Sequence, residues 1–240
     1  FNLILYLNYY QGMIQRFFKL ILKLVLSFLL ITVVWVLVYK FIPVPLTITM
    51  VANSIENLGT ENPVIWEKDW KSLDEISPQY IKAVIAAEDQ KFYTHFGFDI
   101  EAIEKAIESN SKNSNKLKGG STISQQTAKN AFLWQGRSYV RKGLEAYFTL
   151  LIELLWSKEH ILEVYLNIAE MGNGIYGAEA ASQVYFKKSA KDSSKSEAAL
   201  IAAILPSPKK YSAKNPGPYV RKRQQWILRQ MNNVQWKSVE

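Results

Sequence analysis

Three short stretches of this chain hold residues whose types and spacing suit catalysis. In AAEDQKFYTHFGFD, residues 86–99, Glu88 and Asp89 end an apolar-faced segment and are followed by aromatics and a glycine. A carboxylate held against aromatic surface has its charged form disfavoured, which makes it a general acid or base. Taken alone, the pair reads equally well as a solvated acidic helix end. In GGSTISQQTAKN, residues 119–130, Ser121, Thr122, Gln125 and Gln126 crowd a helix N-terminus. Free backbone N–H groups and the helix dipole favour an anion at such a place. Lys129 lies two turns beyond Thr122, and Arg137 follows shortly after. The GxxxxGK[ST] spacing of a nucleotide phosphate loop is missing, and a capped helix with a polar surface is the plainer reading. In RSYVRKGLEAYFTLLIE, residues 137–153, Arg141 and Glu145 are one turn apart, as in a surface ion pair. Yet Glu145 adjoins Leu144 and Phe148, which favours partial burial. Two carboxylates on different helices beside a cationic anion site are the constellation for glycosyl transfer or glycoside cleavage.

The elements that must position these residues read as helices, with no convincing alternating strand. Ser77 caps a helix that Pro78 opens, with Ile81, Val84 and Ile85 at helical spacing, running to about Asp89. Asp99 caps the next, to about Ser109, and SNSKNSNKLKGG reads as a loop. Thr122 with Gln125 forms a capping box for a helix reaching about Phe132. Ser138 caps a longer helix with Leu144, Phe148, Leu151 and Leu155 on one apolar stripe. Ser157 starts another that Gly172 ends. Ser194 with Glu197 is a second capping box, before AALIAAIL and Pro206, and Pro218 opens the last helix. The fold class expected is all-α: one core on a stalk.

Charge and hydropathy place that core. The formal charge of +8 is unevenly spread: +4 over residues 1–45, −5 over 46–185 and +9 over 186–240. Basic ends around an acidic middle suit an anionic lipid surface and argue against a nucleic-acid partner. There are no cysteines, so disulfides and thiolate metal sites are excluded, and His95 and His160 show no HExxH spacing for zinc. Leu24–Tyr39 is uncharged and almost wholly apolar between Lys23 and Lys40. With snorkelling lysines the span runs from about Leu20 to Ile42, enough for a bilayer core of roughly 20 residues. No small-residue cleavage site follows, so an uncleaved anchor is expected. Arg16, Lys19 and Lys23 precede it against Lys40 after it, which puts the N-terminus in the cytoplasm and residues 46–240 outside. Met13 is the expected natural start, because MIQRFFKLILKLV reads as a basic anchor leader. The expected division is 1–19 cytoplasmic, 20–42 anchor, 43–62 linker, 63–233 catalytic domain and 234–240 tail.

In their order, the three stretches resemble the signature motifs of the peptidoglycan glycosyltransferases, glycosyltransferase family 51: EDxxFxxHxG, GGSTIxQQxxKN and RKxxE. KEHILEVYLN at 158–167 and GIYGAEAASQVYF at 174–186 continue the series, so the resemblance spans about residues 63–233. The short chain resembles the monofunctional biosynthetic transglycosylases, which carry no transpeptidase domain.

The resemblance implies a mostly helical, lysozyme-like fold and an inverting polymerisation of lipid II into β-1,4-linked glycan on undecaprenyl pyrophosphate. It implies Glu88 as the base for the acceptor 4-hydroxyl and Glu145 as a second essential carboxylate at the donor side. Lys129 and Arg137 would bind the pyrophosphate. Ser121, Thr122, Gln125 and Gln126 would shape the groove, with Asp89 and Arg141 counted among the substrate-binding residues. A divalent cation such as Mg²⁺ would bridge pyrophosphate and Glu145, with no organic cofactor. Expected partners are lipid II, the nascent strand, membrane lipids and cell-division or wall-synthesis proteins, at an inner membrane with the catalytic domain periplasmic. Thr127 and Ile100 depart from the usual pattern without touching these residues.

His95 is read as architectural, and the fourth and fifth motifs as scaffold. Leu117, Ile123, Phe132, Leu133 and Trp134 are expected to dip into lipid, and RKRQQWILR to contact anionic headgroups. A peptidoglycan hydrolase and a non-catalytic division scaffold are the rival readings.

Overall fold

The structure, a computed structural model, describes residues 2–56, 66–112, 119–136, 138–234 and 236, with the side chains of residues 2–9 left aside. It divides into two units, residues 1–42 and 43–240. The first is one helix, α1 (Asn2–Phe41). Its stretch Tyr10–Phe41, 32 residues with a mean hydropathy of 2.7 over its most apolar window, is long and apolar enough to cross a membrane. Within it the Thr32 hydroxyl donates back to the Phe28 carbonyl at 2.9 Å, so that polar group is satisfied without water.

The second unit is mainly helical. Its helices are α2 (Ile48–Glu56), α3 (Pro78–Glu88), α4 (Ile100–Lys112), α5 (Ile123–Phe132), α6 (Tyr139–Leu155), α7 (Lys158–Ile168), α8 (Ala178–Phe186), α9 (Lys195–Ile204) and α10 (Pro218–Gln230). Local chemistry starts most of them where the sequence places the caps. Ser77 accepts from the N–H of Tyr80, Ser138 from that of Arg141 and Ser157 from that of His160. Thr122–Gln125 and Ser194–Glu197 both close as reciprocal capping boxes.

Two departures from expectation concern residues placed in linkers or read as purely helical. Part of the expected linker 43–62 folds as α2, which packs on α5 and buries Thr49, Met50 and Asn53. A small sheet in the order β1–β3–β2 also forms, from β1 (Glu67–Lys68), β2 (Glu170–Gly172) and β3 (Ile175–Tyr176). β1 runs parallel to β3, with Glu67 opposite Ile175, and β2 runs antiparallel to β3. The helix that Ser157 caps therefore stops at Ile168 rather than Gly172.

The core is laid around α5 and α9. Ala198, Ala199, Ala202 and Ala203 are buried, and their small side chains let α9 lie close against α3 and α10. α5 packs between α6 and α7, with Phe132 stacked on Phe148 at 4.7 Å between ring centroids. The fourth motif pins this core to the chain before α3. Asn167 donates to the carbonyl of Lys71 and accepts from its N–H, both at 2.8 Å. In the fifth motif the buried Glu179 accepts from the N–H of Ala190 at 2.7 Å. Both motifs are thus occupied in holding the fold.

Candidate active site

The last turn of α3 delivers Glu88 and Asp89 to the first turn of α5, and the two neighbours do different work. The Asp89 carboxylate is buried and accepts from the backbone N–H of Ile123 at 3.0 Å. His95 Nε2 donates to the same carboxylate, 3.0 Å from both oxygens. Asp89 therefore satisfies a free donor at the start of α5 and orients the aromatic turn after α3. Its oxygens are held by protein donors, and the residue borders the same cavity as Glu88. Gly97 lies in that turn at φ +78°, where a Cβ would come within 2.8 Å of Thr149 Cγ2 on α6, so glycine alone fits.

Glu88 is half-buried and its carboxyl is enclosed by protein. Burial is the largest influence on its pKa and raises it above the ordinary glutamate value. Gln126 opposes this, its Nε2 donating to Glu88 Oε2 at 2.8 Å, and the positive charges of Arg223 and Lys129 oppose it further. Gln126 is held in turn by Tyr165 of α7, whose hydroxyl donates to its Oε1 at 3.4 Å. With its oxygen turned to Tyr165, the amide offers its nitrogen to the carboxylate. A carboxyl raised in this way, but still given donors for its charged form, suits a base that must ionise and then accept a proton.

The remaining residues of the GGSTISQQTAKN stretch separate into groove and frame. Ser121 is exposed and lines a cavity of about 280 Å³ together with Glu88. Thr122 and Gln125 are buried, occupied by the capping box and by a Thr122 hydroxyl bond to the Gly97 carbonyl at 2.6 Å. Thr122 nonetheless borders the same cavity as Glu88, while Gln125 is occupied in holding the start of α5. Lys129 and Gln126 line a second cavity of about 410 Å³. Burial lowers the Lys129 pKa, its largest influence, while Glu145 raises it. Among the described residues no carboxylate comes within ion-pair distance of Lys129, which leaves its charge available to an anion. Arg137 lies outside the described residues.

Glu145 is 3% exposed at its side chain and sits between two cations of its own helix. Arg141 Nη1 donates to one oxygen at 2.7 Å, and Lys142 Nζ to the other. Arg141 is thereby committed to Glu145, and the expected helix pair is a triad in which Glu145 is buried and Lys142 reaches it from the exposed side. As for a divalent ion, both Glu145 oxygens are taken by cations. Among the described residues no group of three His, Asp or Glu gathers into a cage. These residues do not fit a protein-held metal.

Two surface expectations change. Ile123, Phe132 and Leu133 are buried in the core and unable to reach lipid, while Trp134 is 44% exposed and Leu117 lies outside the described residues. The cationic run of α10 is divided. Arg221 and Lys222 are exposed, but Arg223 turns inward, donating through Nη2 to the Ala87 carbonyl at 2.8 Å and stacking on Trp226. Arg223 thus stands beside the Glu88 end of α3. Sequence reasoning missed it as a site residue, because three adjacent cations do not announce which one faces inward.

Residues 56–232 match the transglycosylase family. The chain is 52% identical over 214 residues, 88% of its length, to a Haemophilus influenzae protein named biosynthetic peptidoglycan transglycosylase, covering 87% of that protein. A Bdellovibrio bacteriovorus protein of the same name is 53% identical, with 89% of this chain and 85% of that one covered. One from Salmonella typhimurium is 55% identical over 201 residues, 83% of each chain. The matched region contains Glu88, Gln126, Lys129 and Glu145 together with the helices that carry them, and the chain belongs to the transglycosylase family.

Proposed function

We propose that the chain polymerises lipid II into β-1,4-linked glycan strands on undecaprenyl pyrophosphate, by direct inverting displacement. The observation that carries this reading is the pairing of an enclosed Glu88 with a half-buried Lys129 one turn beyond Gln126, the residue that bonds Glu88. Glu88 takes the proton of the acceptor 4-hydroxyl as that oxygen attacks the donor's anomeric carbon. The bond from that carbon to the pyrophosphate oxygen breaks, and the pyrophosphate leaves with the electron pair. Lys129 and Arg137 are the cations proposed to stabilise that departing charge. Glu145 holds Arg141 and Lys142 in place, and its negative charge favours the protonated form of Lys129 against the effect of burial. A hydrolase cutting between sugars would have no phosphate for Lys129 to meet.

The apolar helix α1 suits a single-pass anchor that keeps the domain beside its lipid substrate. The proposed orientation, from the cations before the span, is N-terminus in the cytoplasm and catalytic domain periplasmic at the inner membrane. Wall-synthesis or division proteins are proposed as neighbours there.

The test is polymerisation of fluorescent lipid II by detergent-solubilised protein beside Glu88→Gln. Long glycan that lysozyme digests, absent in the variant, is the expected result. Shortening of preformed glycan would make the chain a hydrolase, and no turnover of either would leave a scaffold.

A further inference from the structure

The cavity that holds Glu88 has one wall that the motifs do not supply. It is lined by Glu88, Gln90, Ser121 and the glycine pair before α5, and also by Trp226 of α10. An indole is a large apolar surface, and here it borders a cavity whose other side chains are mostly polar or charged. Its position is fixed rather than accidental. The Arg223 guanidinium lies 4.3 Å from the Trp226 ring centroid, and Arg223 is itself tied to the Ala87 carbonyl at 2.8 Å. α10 packs on α3 and α9, so the pair is carried on the frame that carries Glu88.

We propose that Trp226 is a specificity-determining residue, an aromatic platform for the pyranose ring whose hydroxyl Glu88 deprotonates. A pyranose has a face of C–H bonds and a rim of hydroxyls. Apolar surface on one side and polar groups on the other are what such a ring needs to be held in one orientation. With its C–H face on Trp226, the ring turns its rim toward Glu88, Gln90 and Ser121. The cavity of about 280 Å³ has room for one N-acetylhexosamine, not for the whole lipid-linked substrate. Lys129, the cation for the leaving phosphates, lines the other cavity, which makes the Trp226 side the acceptor's. Arg223 acts through its neighbours: it covers part of the indole and adds positive charge near Glu88.

This inference rests on the proposed transferase reading, and its test separates the two. A lipid II whose own 4-hydroxyl is blocked serves only as donor, and an analogue whose pyrophosphate is replaced by a non-leaving linkage serves only as acceptor, so the KM of each is read separately. In the full-length protein, Trp226→Leu keeps an apolar side chain of moderate size but removes the ring. The expected result is an acceptor KM raised about tenfold, the size of one aromatic contact, with donor KM and kcat little changed. Trp226→Phe keeps a ring and is expected to restore most of the loss, which a packing role alone would not produce. Unchanged acceptor KM in Trp226→Leu, or a rise confined to the donor, would overturn the platform while coupling by the wild type leaves the transferase intact. An equal loss in Leu and Phe variants, with a lowered melting temperature in both, would also overturn it, by making Trp226 a core residue.

Discussion

The carboxylate of Asp89 accepts from the backbone N–H of Ile123 at 3.0 Å, so the end of α3 and the start of α5 are joined at the site itself. Glu88 precedes that joint and Gln126 follows it, and their 2.8 Å bond depends on its geometry. Asp89→Ala leaves the Ile123 N–H and His95 Nε2 without their acceptor in a buried place. Each unsatisfied group costs about 1–3 kcal/mol, so a loss on the order of 3 kcal/mol is expected. Urea unfolding at neutral pH measures it. A variant of wild-type stability would show that the joint is dispensable.

The acid limb of the pH–rate profile is the readout of Glu88. As a base it acts ionised, so activity falls as pH drops through its pKa, which burial holds above the usual glutamate value. Gln126→Leu removes the donor that favours the charged form, and the limb is expected to move to still higher pH. Stability carries the opposite sign. A carboxyl whose pKa is raised on folding binds its proton more tightly in the folded state, so stability declines as pH rises from the unfolded value through the folded one. Glu88→Gln is therefore expected to melt slightly higher at neutral pH while losing activity, with about 2–4 °C for each kcal/mol gained in a domain of this size.

Much of this arrangement is legible in the residues, and the parts that are not share one cause. Ser77, Thr122 with Gln125, and Ser138 announce their helices because a cap and its target are three residues apart. The burial of Glu145 follows from its apolar neighbours Leu144 and Phe148 on the same helix. Asp89 is different, because its partner Ile123 is 34 residues away and nothing local distinguishes a bonded carboxylate from a solvated one. α2 is hidden likewise: Asn53 is buried by meeting Tyr176, 123 residues on. Strands of two or three residues are too short to show alternation.

Glu145 offers a test of whether the triad on α6 is structural, functional or both. Its partner Arg141 is 11% exposed at the side chain, so Glu145→Ala strands a largely buried cation, at an expected cost of about 3–5 kcal/mol. Glu145→Gln keeps an acceptor for Arg141 and is expected to lose less stability, yet it removes the charge that favours protonated Lys129. Combining Glu145→Ala with Arg141→Met should recover much of the stability and none of the activity. Recovery of activity in the double variant would remove Glu145 from the catalytic set.

Lys129 is where stability and activity should part most clearly. Burial lowers its pKa, so the folded domain holds this ammonium at a cost, and no carboxylate among the described residues pairs with it directly. A group kept charged at a cost, with its charge turned to a cavity, is expected where function asks for it. Lys129→Met removes the cost and retains the apolar stem, so thermal melting is expected at or above the wild-type temperature. The same change removes a cation from the departing pyrophosphate, and lipid II polymerisation should fall by about 10²–10³, the loss typical of one electrostatic stabiliser of a transition state. Lys129→Arg restores charge but spreads it over a planar fork, so partial activity is expected. Melting and initial rates on the three proteins decide the point. A Met variant that is both unstable and inactive would make Lys129 part of the frame, whereas a stable, fully active one would move the pyrophosphate elsewhere.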